Sequence, residues 1–190
     1  MNLKNKRVLV TAGPTWVPID KVRVISNTAS GETGILLAYK LRVKGARVTL
    51  LLGPVSSLYA QRLDKPIEII RYRFFDELKR ALEKELKSRR FDIIIHSAAV
   101  SDFKLARSFK GKIASGAQGL NLKLVPTQKL ARLFKKIQPK AKLVIFKLEL
   151  GVAKNTLLKR ALKAKKEYRA DLAVANTFIN NKYRASIIDS

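Results

Sequence analysis

The run RVTLLL at positions 47–52, almost unbroken in apolar character and cut off by Gly53-Pro54, limits this chain more than any other stretch. A strand with one wet face alternates polar and apolar residues; this one does not, so it reads as a strand buried on both faces, as in a parallel sheet with helices above and below. Short runs of similar kind recur at 7–12, 67–73, 91–96, 120–125, 142–148 and 171–175. Between them lie segments of helical period at 33–44, 75–89, 127–137 and 155–168. The first helix is expected to turn Ile35, Leu36, Tyr39 and Leu41 to the sheet before Lys44-Gly45 closes it, and the second Leu78, Leu82 and Leu86. Strand and helix in alternation predict an α/β chain with a doubly wound, mostly parallel sheet and helices on both faces. Residues 183–188 add an edge strand, and no repeat or linker divides residues 1–190, which are expected to form a single domain.

In such a sheet ligands gather outside the carboxyl ends of the strands. Two small, polar strings fall there: Ser26-Asn27-Thr28-Ala29-Ser30-Gly31, and Ser97-Ala98-Ala99-Val100-Ser101-Asp102. The first feeds a helix N-terminus, whose unpartnered N–H groups and positive dipole end suit an anion, most often a phosphate. Gly31 and Gly34 would let a ligand approach the backbone, although small residues before a helix also serve as plain caps. Residues 103–119 lose all periodicity and carry Lys104, Arg107, Lys110 and Lys112 among three glycines, the pattern of a lid over a ligand or of a basic surface loop.

Forty Lys and Arg against fourteen Asp and Glu give a formal charge of +26, which raises the question of nucleic acid. The basic residues are scattered over helix faces, no zinc-finger, basic-zipper or RNA-recognition signature accompanies them, and a solvated basic surface is the plainer reading. The chain has no cysteine and one histidine, His96, which excludes disulfides, thiolate chemistry and Cys- or His-rich metal sites. Neither a long apolar span nor a secretory leader is present, so a cytoplasmic protein is expected, with no membrane partner. The loop after the first strand matches neither the Walker lysine motif nor G-x-G-x-x-G.

Thr11-Ala12-Gly13-Pro14-Thr15, Pro18-Ile19-Asp20, Val22-Arg23, Ile25-Ser26-Asn27 and Ser30-Gly31 follow one another closely, then Gly34, Gly45-Ala46, Val48-Thr49-Leu50 and Gly53-Pro54. Later come Ala98-Ala99-Val100-Ser101-Asp102-Phe103, Gly111-Lys112-Ile113, Phe146 with Glu149, Ala170-Asp171-Leu172 and Ala175-Asn176. In this order, over nearly the whole chain, the sequence resembles the phosphopantothenoylcysteine synthetase (phosphopantothenate–cysteine ligase) family, with a Rossmann-like fold. The resemblance implies a ligase of coenzyme A biosynthesis. Such enzymes activate the carboxylate of 4′-phosphopantothenate with a nucleoside triphosphate, CTP or ATP, and Mg²⁺. Pyrophosphate leaves, and the amine of cysteine then displaces the nucleoside monophosphate.

By the same resemblance, Asn27 holds the activated intermediate and Lys112 meets the triphosphate, and these two are the catalytic candidates. Ser97, Ala98, Asp102, Phe146 and Lys163 join Lys112 around the nucleotide, and Gly13, Ser30 and Gly31 join Asn27 around the substrate. The family tends to form homodimers, and no protein-held metal is expected. The chain departs from the family's pattern at Trp16-Val17, which stand for an Arg-Glu pair, at Ala114, where a second lid cation is expected, and at FKLEL, 146–150. The lysines before Asp171, including Lys163, Lys165 and Lys166, are also spaced differently. A stand-alone synthetase domain without a decarboxylase half is the expectation; a non-catalytic nucleotide-binding relative and a nucleic-acid-associated Rossmann protein are the alternatives.

Overall fold

The computed structural model of the chain describes residues 3–55, 67–116, 119–180 and 182–189. In chain order these form β1 (Arg7–Ala12), β2 (Trp16–Pro18), β3 (Val24–Ser26), α1 (Glu32–Val43), β4 (Arg47–Leu52), β5 (Glu68–Arg71) and α2 (Phe75–Ser88). There follow β6 (Ile93–His96), β7 (Phe103–Leu105), β8 (Leu124–Pro126), α3 (Ala131–Ile137), β9 (Lys142–Leu148), α4 (Lys154–Tyr168), β10 (Leu172–Ile179) and β11 (Lys182–Ile188).

Seven strands make one sheet in the order β11-β10-β9-β6-β1-β4-β5. Its pairs are parallel except β10 with β11. The chain builds outward from β1 through β4 to β5, then returns to lay β6 on the other side of β1, and this reversal opens a crevice between the tips of β1 and β6.

The unbroken apolar runs are buried on both sides, as their lack of alternation requires. In β1 and β4, Val8, Val10, Val48, Leu50 and Leu52 face one layer with Ile35 and Ala38 of α1. Leu9 and Leu51 face the other, with Leu78 and Leu82 of α2, Phe134 of α3 and Leu157 of α4. Leu9, Leu50, Leu51 and Leu52 are wholly out of water. Burial on that scale stabilises the fold by about 2 kcal/mol per leucine side chain. On α1 the contact stripe is Gly34, Ile35, Ala38 and Leu41, where Leu36 and Tyr39 were expected to share it. Steps of four and three, from Gly34 to Ala38 to Leu41, give that stripe with Ile35 beside it, and Leu36 and Tyr39 are only partly covered.

Four sequence expectations need correction. The strand expected at 120–125 is only β8, Leu124–Pro126, which pairs with β7 away from the main sheet. Residues 103–119 are not uniformly irregular, because they open with β7; 117 and 118 lie outside the described residues. The loop after β1 holds the β2–β3 hairpin, in which Trp16 pairs with Ser26. Strands of three residues carry too little pattern to announce themselves. Helix α3 starts at Ala131, four residues later than expected, because Thr127 is taken up by the preceding strand end.

The end of α3 is joined to the rest through one buried side chain. Gln138 accepts a hydrogen bond from the Phe91 N–H at 2.9 Å and donates to the Leu86 and Arg89 carbonyls at 2.8 and 2.6 Å. Gln138→Ala leaves these three main-chain groups without their partner, and each buried orphan costs about 1–3 kcal/mol. Urea denaturation at neutral pH is expected to show a loss of about 3 kcal/mol; a change below 1 kcal/mol would mean that water replaces the amide.

Candidate functional site

The loop leaving β1 and the string leaving β6 run side by side. Ser97 N–H donates to the Thr11 carbonyl at 3.2 Å, Ala99 N–H to Gly13 at 3.0 Å, and Thr15 N–H to Ala99 at 3.3 Å. Buried Thr15 then accepts from Ser101 N–H through Oγ1 at 2.9 Å. From below, the buried Tyr72 hydroxyl donates to the Ala12 and Gly13 carbonyls at 2.8 and 3.1 Å, and burial raises its pKa far above the ordinary phenol value.

Helix α1 enters the same place. Gly31, its N-cap, adopts φ 75°, and a Cβ there would lie 2.7 Å from Val55 Cγ1 and 3.2 Å from the Gly13 backbone. Gly34 lies against β1 so closely that a Cβ would come within 2.5 Å of Ala12 Cβ and 2.6 Å of Ser97 Oγ. The helix N-terminus is thus set directly over the β1–β6 crevice. Ser30 caps part of it, since its Oγ accepts from Glu32 N–H at 3.3 Å. Asn27, exposed at the rim, donates from Nδ2 to the Ala99 carbonyl at 3.0 Å, which ties the loop before α1 to the string after β6.

Beside that crevice a cavity of about 450 Å³ opens at the carboxyl ends of β6 and β9. Ala98, Asp102, Phe146 and Lys163 line it, together with His96, Lys129, Lys147, Glu149 and Arg160. The sequence candidates therefore divide. Ala98, Asp102, Phe146 and Lys163 share the cavity, whereas Gly13, Asn27, Ser30 and Gly31 gather at the β1–α1 crevice next to it. Ser97 faces inward and donates to the Thr11 carbonyl at 2.7 Å, so its hydroxyl is a brace. Lys112 is exposed and outside that lining.

The cavity's charges are mostly spent on one another. Asp102 bonds Lys129 Nζ at 2.5 Å and caps no helix; the same bond raises the lysine pKa. Glu149 holds Lys147 at 3.0 Å and Arg160 at 2.6 Å, and the Lys147 bond leads in lowering its pKa. Among the described residues no carboxylate pairs with Lys163. Nor do they include a group of three His, Cys, Asp or Glu able to hold a metal ion.

Sequence reasoning gave Asp20 and Arg23 no role, yet they fix the segment that carries Lys112. Asp20, buried, accepts Val22 and Arg23 N–H groups on Oδ1, and Arg23 Nη1 and Ile113 N–H on Oδ2 at 2.6 and 3.0 Å. Arg23 Nη1 also donates to the Ile113 carbonyl at 3.2 Å. The Ile113 bond first, with the turn's own N–H groups and Arg23, holds the Asp20 carboxyl well below the usual range against its burial. Phe109 N–H adds a bond to the Ile19 carbonyl at 2.9 Å. An Asp three residues before an Arg in a Pro-containing turn was the available signal.

His96 lies against Phe134, ring centroids 4.9 Å apart, with Nδ1 2.8 Å from Thr11 Oγ1. That hydroxyl also accepts from Ala98 N–H at 3.2 Å, so it links the ring to the main chain leaving β6. Burial lowers its pKa to about 4 from 6.5. Between those values the unfolded chain takes up a proton that the folded one refuses, so stability falls as pH falls through that window. Because the ring keeps some contact with the cavity, the cost at pH 4.5 relative to pH 7 is about 2 kcal/mol, less than full burial would give. His96→Gln should lose correspondingly less stability over the same interval in paired urea titrations. Parallel losses in both proteins would show that the imidazole is protonated in the fold.

The sequence matches the DNA/pantothenate metabolism flavoprotein C-terminal domain over residues 3–185. It is 39% identical over 176 residues to the coenzyme A biosynthesis bifunctional protein CoaBC of Thermococcus kodakarensis, covering 93% of this chain and 42% of that protein. To the CoaBC protein of Methanocaldococcus jannaschii it is 35% identical over 178 residues, 92% of this chain and 42% of the relative. The chain thus spans about two fifths of the length of these relatives. Among solved structures, the DNA/pantothenate metabolism flavoprotein of Streptococcus pneumoniae superposes with TM-score 0.83 at 26% identity, over 97% of this chain and 89% of that one. A histidine-to-alanine variant of Cab2 in complex with phosphopantothenate-cysteine shares the fold, with TM-score 0.74, 21% identity, and coverage of 98% and 80%. The TAGPT loop, the Asn27 rim and the SAAVSD string lie within the matched span, and the chain belongs to the DNA/pantothenate metabolism flavoprotein C-terminal domain family.

Proposed function

We propose that this chain is a phosphopantothenate–cysteine ligase domain that forms 4′-phosphopantothenoylcysteine for coenzyme A biosynthesis. The observation that carries this reading is the Asn27–Ala99 hydrogen bond, which joins an anion-receiving helix N-terminus to a nucleotide-sized cavity. An acyl-nucleotidylate has to span two such neighbouring sites. The role in coenzyme A biosynthesis named for the CoaBC relatives and the phosphopantothenate-cysteine held by the Cab2 variant support this reading.

In this reading the nucleoside triphosphate, CTP or ATP, occupies the cavity. Its base lies against Phe146, its sugar meets Ala98 and Asp102, and its phosphates meet the unpaired Lys163 and the loop lysine Lys112. The 4′-phosphopantothenate lies by Gly13, Asn27, Ser30 and Gly31, where the N-terminus of α1 favours negative charge. A carboxylate oxygen attacks the α-phosphorus and pyrophosphate leaves; the cysteine amine then attacks the acyl carbon, forming C–N as C–O breaks and the nucleoside monophosphate departs. Asn27 keeps one N–H and its carbonyl after bonding Ala99, enough to hold the intermediate while adding no charge. The nearby carboxylates are ion-paired, so the residues present do not form a cage for Mg²⁺, which enters on the triphosphate.

Residues 103–119 act as the cover, with the Asp20–Arg23 pair as its fastening. A second copy of the chain covers β3 and its surroundings, where Val22 is 67% exposed and Phe103 51%. No helix among the described residues is long and apolar enough to cross a membrane, and we assign the reaction to the cytoplasm.

Pyrophosphate release with 4′-phosphopantothenate, cysteine, Mg²⁺ and CTP or ATP tests the proposal directly: nucleotide binding without release would make the chain a non-catalytic relative. Asn27→Asp is expected to abolish turnover or let the acyl-nucleotidylate accumulate, and a wild-type rate would remove Asn27 from the mechanism. Asp20→Ala should lower kcat/KM for nucleotide about tenfold, about 1.4 kcal/mol. Added to Lys112→Gln it should cost little more, whereas additive losses would mean that Asp20 acts elsewhere.

A further inference from the structure

The opposite, amino-terminal edge of the sheet carries a second concavity, of about 1040 Å³, which the ligase reading leaves unused. Lys4, Arg7, Arg42, Lys44, Arg47 and Arg89 line it, against a single carboxylate, Glu68. That carboxylate is spent: Glu68 bonds Arg89 at 2.5 and 3.0 Å and accepts from Thr49 Oγ1 at 3.0 Å. Asp92, just before β6, is taken by Lys6 Nζ at 2.8 Å and by the Arg7 main-chain N–H at 2.9 Å, and its charge reaches the Arg7 side chain only at longer range.

Arg7 and Arg47 are the feature that asks for a ligand. They are register partners in the parallel pair β1–β4, each the first residue of its strand. Their Cα atoms are therefore about 5 Å apart, with two cations side by side. Among the described residues neither guanidinium has an ion-pair partner, and like charges placed opposite each other in a ladder are destabilising. The last carbonyls of α1 do not relieve them: those of Lys40, Leu41, Arg42 and Lys44 accept from Lys44, Ala46, Gly45 and Leu3 N–H groups.

We propose that this concavity is a second anion site, specific for a small molecule bearing two or more linked phosphates. Two adjacent guanidinium forks match neighbouring phosphate groups bidentately, and an anion between them turns the repulsion into attraction. The volume is that of a cofactor pocket, and a concave bowl suits a compact polyphosphate better than a nucleic-acid backbone, which tracks a groove. The site is separate from the nucleotide cavity, since β1 runs from Arg7 at one edge to Thr11 and Ala12 at the other, about 17 Å at ~3.3 Å per residue.

The test is calorimetric titration of the full chain with inorganic tripolyphosphate at physiological salt. Wild type should show two classes of site. Arg7→Ser/Arg47→Ser should lose one of them, at least tenfold in affinity, while Lys163→Gln keeps that one and weakens the other. Arg7→Lys/Arg47→Lys preserves the charge without the forks and should still lose several-fold; it also serves if the serine double variant fails to fold. In ¹⁵N spectra the Arg Nε signals lost on substituting Arg7 and Arg47 should be those that tripolyphosphate shifts. Unchanged binding in both double variants overturns the proposal. So does binding of a single-stranded RNA through these arginines where tripolyphosphate does not bind, which would assign the surface to nucleic acid.

Discussion

The main-chain pairing of residues 11–15 with residues 97–101 is the interaction on which the carboxyl edge of this molecule depends. Beyond the last ladder pair, Thr11 with His96, the two chains stay bonded through Ser97 to Thr11, Ala99 to Gly13 and Thr15 to Ala99. Because β1 is central in the sheet and buried on both faces, that pairing starts from a strand with no freedom to shift. Everything that follows is referred to it. Gly34 brings α1 to contact distance of Ala12, Tyr72 closes the underside, and Asn27 reaches the Ala99 carbonyl because that carbonyl is already fixed. The strand end thus carries its own rigidity out into the loops, and loops held that way can present main-chain groups to a ligand without an ordering cost at binding.

How much of this could be read from the sequence follows from where the information lies. The RVTLLL run at 47–52 and its fellows declared strands buried on both faces, and the fold class follows from them, because burial on two faces is a local property of composition. Ala98 and Asp102 belong to a polar string that the pattern placed beyond a strand end, while Phe146 and Lys163 entered only through the family resemblance; the four line one cavity. The hairpins β2–β3 and β7–β8 were not legible. Each strand has three residues, and Val24, Ile25 and Ser26 are all exposed, so neither alternation nor burial leaves a trace in the pattern.

Long-range side-chain bonds were the other blind spot. Asp20 meets Ile113 across 93 positions and Gln138 meets Leu86 across 52, and no local pattern encodes such pairs. What the sequence did contain was an acid in a turn and a lone glutamine after a helix. Their bonding capacity, more acceptors and donors than a turn or a cap consumes, is the only hint that each has work at a distance.

With forty basic residues against fourteen acidic ones, pairing decides where the surplus charge matters. Several acids serve main-chain geometry as much as cations. Asp171, for instance, is drawn up by burial but held at about 2 by Lys135, Lys142 and the Leu143 N–H, at the point where β10 joins β9. Acids committed in this way cannot also neutralise neighbouring cations, so the unpaired charge collects where strands begin and end and the main chain has no bonds left to offer. Lys163 stands at one edge of the sheet, Arg7 and Arg47 at the other. A uniformly basic surface would attract anions everywhere and hold them nowhere; a concavity in which a few cations, such as Lys163 or the Arg7–Arg47 pair, are left without a carboxylate is where diffuse attraction becomes binding.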